Sequence, residues 1–302
     1  MRTISTYTSW VPAIRRFAES QNWGHMAILR ATGNGDRERS FADAAGELIA
    51  TMGREPNTSD TTFLAGQFKP DVLARIFEGR IRVVLVMASS ADVLDIARAA
   101  KQSSYGVQGW AWLGLDTVPA PKEEPDMGYL YGWVYFETDS SVPDWFVGNV
   151  SATIRAMFPF DDSPISSLAA NLYDAITLYG SVVRAHLSEL QQGTVMVRAM
   201  MNVSLSDGIS GKVELDDNAD RKAFLRVMNR LPADGKTIRL GVVGTDQPFT
   251  ESSDHLQARW PPGSSTERPA ATLPPVQCPA GYSSDEVFRA ADCKMCARGE
   301  RL

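Results

Sequence analysis

The side chains best suited to chemistry lie at the end of the chain. Its three cysteines, Cys278, Cys293 and Cys296, fall within the last 25 of 302 residues, and none precedes them. Two chemistries fit. Cys293-Lys294-Met295-Cys296 has the spacing of half a zinc site, in which paired thiolates grip a tetrahedral ion. Cys278-Pro279-Ala280-Gly281 suits disulfides, because a small module cannot bury enough core to hold itself and uses cross-links instead. A second thiolate pair is absent, which favours disulfides over metal, and the odd count implies a partner beyond Leu302.

The rest of the chain offers little to catalysis. His25, His186 and His255 are far apart and form no His-x-x-x-His pair. Gly33-Asn34-Gly35 opens like a dinucleotide fingerprint, but Glu38 stands where the third glycine belongs, so the segment reads as a turn. Ile209-Ser210-Gly211 does not complete a nucleophile elbow. The pairs Asp161-Asp162 and Asp216-Asp217 read as solvated loop charges. Neither an enzyme nor a resident cofactor or metal is expected.

Bulk properties narrow the classes further. With 44% hydrophobic and 22% charged residues, the composition is that of a globular protein. A net charge of -6, without a long basic run, argues against nucleic acid as partner. No stretch is apolar enough to span a bilayer; the best candidate, 168–183, is broken by Asn171, Tyr173, Asp174 and Gly180. The start lacks the basic and apolar segments of a signal peptide. Three sequons, at Asn57, Asn149 and Asn202, are candidate glycosylation sites.

Periodicity supplies the elements that would position a site. Residues 9–20 have helical spacing, with Trp10, Ile14 and Phe17 on one face. Residues 25–29 suit a buried strand, 33–36 a loop, 41–52 a helix and 72–77 a short helix. The run 83–87 is almost all β-former, Ser89-Ser90 caps a helix over 91–101, and 110–115 is a further strand. Alternation puts Trp110 and Trp112 on one face, where core packing is the first reading. The segment 119–126 reads as exposed loop and 128–136 as strand. Helices follow at 149–157 and 166–190, the second apolar on more than one side and so expected to be buried. Short strands close the series at 212–215, 224–227 and 238–243. Such alternation predicts an α/β fold whose parallel sheet binds ligand at the carboxyl ends of its strands. Those ends fall near 31–36, 88–90 and 115–117.

The order of these segments resembles a known family. Arg2-Thr3-Ile4-Ser5, then Asn22-Trp23-Gly24-His25, then Arg82 to Ser89 and Trp110 to Asp116, look like successive units of a receptor ligand-binding region. The type is that of natriuretic-peptide receptors and class C G-protein-coupled receptors. Asn171-Leu172-Tyr173-Asp174 resembles its long helix. Gly208 through Arg221 resembles its late glycine and Gly-Asp-Arg signature, with Ala219 in place of the second glycine, and Trp260-Pro261-Pro262-Gly263 resembles its exit. Cys278 to Gly299 resembles a cysteine-rich ectodomain repeat.

The resemblance implies a two-lobed, periplasmic-binding-protein-like clamp over 1–263, with the first half of lobe one missing. About 1–136 would be mostly lobe two, about 145–215 would return to lobe one, and about 220–260 would hold the final strands. A linker at 264–277 and an irregular cysteine-rich module at 278–302 would follow. It implies an extracellular sensor for a small molecule or peptide, part of a membrane receptor, dimeric at full length and anchored by a segment outside this chain. By position, it implies ligand contacts from Ser5, Tyr7, Thr8, Ser89, Ser90 and Asp116. Tyr7 stands where amino-acid receptors often carry an acid. The plainer reading is that Ser89 and Ser90 cap a helix, Asp116 caps a turn and Tyr7 packs in the hinge. Two rivals remain: a soluble solute-binding protein on the same fold, and a cytosolic α/β enzyme with a zinc tail.

Overall fold

The run Val83-Val84-Leu85-Val86-Met87 is a central strand because every side chain in it is apolar, and all five are buried. Around it lies the fold seen in the computed structural model, which describes residues 6–52, 60–77, 81–103, 109–118, 127–138, 142–157, 167–186, 193–217, 219–231, 236–261, 266, 268–269, 282–283 and 294–295. Helix and strand alternate as α1 (Tyr7–Ser20), β1 (Ala27–Thr32), α2 (Asp36–Thr51), β2 (Asp60–Leu64), α3 (Asp71–Phe77), β3 (Val83–Met87), α4 (Ser90–Gln102), β4 (Ala111–Gly114) and β5 (Val134–Thr138). Three helices come next, α5 (Asp144–Met157), α6 (Ser167–Ala185) and α7 (Gly193–Met201). The chain then returns as β6 (Phe224–Arg230), β7 (Thr237–Gly244) and β8 (Thr250–Glu251).

All eight strands share one sheet, in the order β2-β1-β3-β4-β5-β6-β7-β8. The first five are parallel, and the last three join antiparallel beyond β5. Alternate side chains feed two cores. Helices α1 and α2 cover one face, packing on Ile28, Leu85, Leu113 and Phe136. Helices α3 and α4 cover the other, packing on Leu29, Val84, Val86 and Trp112. Trp110, Trp112 and Trp133 stack in that second core, with ring centroids 6.2 and 5.3 Å apart. The expected core role of the tryptophans is thus what the fold uses.

Helices α5 to α7 form a separate packing unit. Leu178 and Val182 of α6 meet Met196 and Met200 of α7 together with Val213 and Leu215. Phe146 of α5 meets Ala170 and Ile209. A buried polar network locks this unit. Asp174, 1% exposed, accepts hydrogen bonds from the backbone N–H groups of Ile209 (2.7 Å) and Ser210 (2.8 Å) and from the Ser210 hydroxyl. Arg221 donates to Asn171 Oδ1 (2.8 Å), Ser210 Oγ (2.7 Å) and the carbonyls of Ser210 (2.9 Å) and Lys212 (2.7 Å).

Three sequence expectations need correction. Residues 128–136 are not strand throughout: Met127–Leu130 is a 3-10 turn and β5 begins at Val134. Helix α6 is buried on one face only: Leu172, Tyr173, Ile176 and Tyr179 are about half exposed or more. Its apolar residues outnumber what the neighbouring elements cover. Residues 212–215 form no strand; two isolated antiparallel bridges, Leu205 with Val213 and Leu215 with Arg221, replace it, because the segment switches partners within two residues. Three elements were not foreseen, the two-residue β8 among them. Strand β2 is an edge strand with only Thr61 and Phe63 buried, so its apolar signal is weak. Helix α7 begins at a glycine and is short. The three cysteines and Asn57 lie outside the described residues. Within the cysteine-bearing tail, Tyr282–Ser283 pairs antiparallel with Lys294–Met295.

Ala219 adopts φ +59°, in the left-handed region that favours glycine, in the tight turn where the Asp216 N–H donates to the Asp220 carbonyl and the Asp220 N–H donates back to Asp216 Oδ1. Ala219→Gly should therefore raise unfolding free energy by about 0.5–1 kcal/mol, the relieved strain outweighing the added freedom of the unfolded chain. Arg221→Ala should lower it by about 3–5 kcal/mol, because it removes the charge facing the buried Asp174 carboxylate and the donor to the Ser210 and Lys212 carbonyls. Chemical denaturation checks both, and an Arg221→Ala loss below about 1 kcal/mol would remove the network from the list of structural anchors.

Candidate functional site

The carboxyl ends of the parallel strands carry the candidate site. Helix α1 begins there because Thr6 caps it: the Thr6 side chain accepts from the Ser9 N–H (3.3 Å) and the Ser9 hydroxyl returns a bond to the Thr6 carbonyl (2.7 Å). The cap starts the helix two residues earlier than periodicity implies and places Tyr7 in its first turn. The Tyr7 ring packs edge-on against Trp10 at 5.2 Å and tilted against Phe41 of α2 at 4.9 Å. Aromatic packing on two sides fixes where its hydroxyl points.

That hydroxyl donates to Asp116 Oδ1 at 2.8 Å, joining residues 109 positions apart. Asp116 follows β4, in a turn where the Val118 N–H donates to the Leu115 carbonyl. It keeps an exposed outer edge while protein crowds it from behind. That crowding raises its carboxyl above the ordinary aspartate range; the Tyr7 hydrogen bond and the Arg37 charge pull the other way. Tyr7 is raised well above the ordinary phenol range, first by burial and then by the Asp116 charge and hydrogen bond. Arg37 is exposed in the first turn of α2, directly after the Gly33–Gly35 loop at the end of β1. The arrangement is a phenol donating to a carboxylate, with a cation close enough to act on both.

The other candidates divide. Ser89 is the N-cap of α4: it accepts from the Asp92 N–H (3.3 Å) and donates to Asp92 Oδ2 (2.9 Å). Asp92, 2% exposed, also accepts from the Gly66 N–H at 3.1 Å, so it ties the ends of β2 and β3 together. The capping role of Ser89 is therefore real, and its hydroxyl is occupied. Ser90 is exposed at the first position of α4, on the same sheet edge as Asp116. The Thr8 hydroxyl turns back to Thr6 Oγ1 (3.1 Å). Ser5 lies outside the described residues. Asn149 on α5 and Asn202 just past α7 are exposed. Sequence reasoning named Tyr7 and Asp116 but not their bond, and it missed Arg37 and Asp92. Arg37 was findable, since it directly follows the one glycine-rich loop at a strand end.

Tyr7 should ionise at higher pH than a free tyrosine in a spectrophotometric titration, and Asp116→Asn should bring it partly back, because the charge goes and the burial stays. The sign for stability follows from a raised folded-state value. The Tyr7 contribution is fully present below the ordinary phenol pKa and is lost as pH rises through the folded one. An Asp116→Asn variant with the same tyrosine titration as wild type would contradict the coupling.

In an open α/β fold, polar groups gathered at the carboxyl ends of parallel strands mark the usual place of a ligand site. Residues 1–230 match the family model described as Receptor family ligand binding region. The chain belongs to that family, and with it to the periplasmic-binding-protein-like ligand-binding folds.

Proposed function

We propose that this chain is the extracellular sensor portion of a membrane receptor, and that its ligand binds at the strand ends around Tyr7, Asp116, Arg37 and Ser90. The observation that carries the reading is the Tyr7–Asp116 bond, which brings two positions that the family resemblance implies as ligand contacts to 2.8 Å in a family of receptor ligand-binding regions. An exposed carboxylate edge beside an exposed guanidinium suits a small molecule or peptide that carries both signs of charge. Signalling follows from population shift: a ligand that touches both lobes of a clamp binds the closed form better and draws the equilibrium toward it. The receptor acts as a dimer, and its membrane segment lies outside these residues.

Two experiments test this. Charged small molecules and short peptides are screened by thermal shift. A true ligand at a hundredfold excess over its Kd should stabilise the wild-type chain by about 2.7 kcal/mol. It should bind Asp116→Asn at least tenfold more weakly. Ligands that bind Asp116→Asn as tightly as wild type would move the site elsewhere. Separately, an antibody against the chain should stain unpermeabilised cells and stay with membranes after an alkaline wash. Staining that requires permeabilisation would favour the cytosolic reading, and release into the medium would favour a soluble solute-binding protein.

A further inference from the structure

We propose a second binding site, at the opposite end of α1 from Tyr7 and Asp116, for a small molecule with a flat apolar body and a carboxylate. A 14-residue helix separates the two ends, a distance of about 21 Å at 1.5 Å per residue. At the far end lies a cavity of about 280 Å³, of the order a small ligand needs. Three separate parts of the chain build it: the last turn of α1 and Gln21, the β7–β8 region, and the segment that leaves the sheet after Trp260. Its floor is apolar and fixed. Phe17, Leu240 and Trp260 are buried, and Phe249 packs edge-on against Phe17 at 5.0 Å.

The walls are held as firmly. Both polar atoms of the fully buried Asn229 amide grip Arg259: Nδ2 donates to its carbonyl and Oδ1 accepts from its N–H, each at 2.9 Å. Gly132, at φ +83°, lets the chain pass where a Cβ would come 2.5 Å from the Pro261 nitrogen. Further on, the Trp23 indole donates to the Pro269 carbonyl at 2.9 Å. The chain is thereby tied down at Arg259 and again at Pro269.

Arg268 sets the ligand class. It stands on the rim, and one Nη donates to Gln21 Oε1 at 3.0 Å, which orients the guanidinium; among the described residues no other hydrogen-bond partner engages its remaining N–H groups. No carboxylate among the described residues pairs with it. The acid on the rim, Glu251, faces His255 Nε2 at 3.1 Å while the other ring nitrogen faces the Ser252 carbonyl at 2.7 Å, so that carboxylate already has a partner. An aromatic floor beneath an oriented guanidinium is complementary to a planar aromatic carboxylate.

The test uses naphthoate and the full chain in equilibrium dialysis. We expect saturable binding at one site, at least tenfold weaker for Arg268→Ala and for the neutral analogue naphthyl methanol. Leu256 lines the mouth and is 80% exposed, so Leu256→Trp narrows the entrance without touching the core and should also weaken binding. Asp116→Asn should leave naphthoate binding unchanged, which separates this site from the one at the strand ends. Absence of saturable binding, or binding undiminished in both Arg268→Ala and Leu256→Trp, would overturn the proposal.

Discussion

The arrangement hangs on a buried charge. Asp174 sits on α6 with 1% of its surface exposed, and its carboxylate is tolerable there only because two backbone N–H groups, the Ser210 hydroxyl and the nearby Arg221 surround it. No strand of the main sheet covers α6 among the described residues. Its placement therefore comes from this network and from a small apolar cluster shared with α7. Gly208 belongs to the same device, since a Cβ there would come 2.9 Å from an Asp174 oxygen and 2.5 Å from the Gly211 carbonyl. Arg221 lies three residues before β6, so the interaction that holds the helices also fixes where the chain re-enters the sheet. A buried ion pair adds little net stability compared with a well-packed apolar alternative; here the hydrogen bonds of Arg221 tie α6 to the segment that leads into β6.

Helix α1 does for the first unit what the network does for the second. Its buried face runs the length of the sheet, and its two ends meet different chemistry. At the start, the Thr6 cap and two aromatic neighbours hold the Tyr7 hydroxyl on Asp116. At the finish, Phe17 contributes an edge-on contact with Trp23 at 5.8 Å and another with Phe136 at 5.4 Å. Thr245, just past β7, donates to the Ser9 carbonyl at 3.1 Å and accepts from the Ala223 N–H at 3.0 Å, so the late antiparallel strands are pinned to the first turns of α1.

The sequence was most legible where one residue type does one physical job. Val83 to Met87 could hardly be anything but a strand buried on both faces, and its bounds are those expected. Ser89 before a run of helix formers announced a cap, and the cap is there. The site was half legible: family position pointed to Tyr7 and Asp116, but nothing in a linear chain says that side chains 109 residues apart meet. Strand β2 was hidden because an edge strand buries one residue in two. The segment 212–215 misled because β-forming side chains there serve a small cluster through single bridges, not a ladder. Ala219 was the most instructive departure. The resemblance put glycine at that position, and the backbone does take the conformation glycine prefers, at φ +59°. The chain keeps the turn and bears the strain.

Helix α6 shows where periodicity stops being informative. Ala170, Asp174, Leu178 and Val182, at four-residue spacing, are its buried stripe, and the carboxylate in it is the one pinned by Arg221's network. Leu172, Ile176 and Tyr179 make a second apolar stripe on another side of the helix. Leu172, Tyr173 and Ile176, with Trp145 and Ile154 of α5, line an open groove of about 420 Å³. From 167 to 183 the helix carries no charge except Asp174. Apolar composition all round a helix ordinarily means burial all round. Here the spacing fixes which residues could be buried together, and the partner decides which of them are. The inner stripe has its partner in α7 and the return segment. The outer stripe is a contiguous apolar patch of the kind that marks an interaction surface in soluble proteins. The same side-chain chemistry thus gives core on one side of α6 and open surface on the other, and the difference lies in the neighbours rather than in the helix.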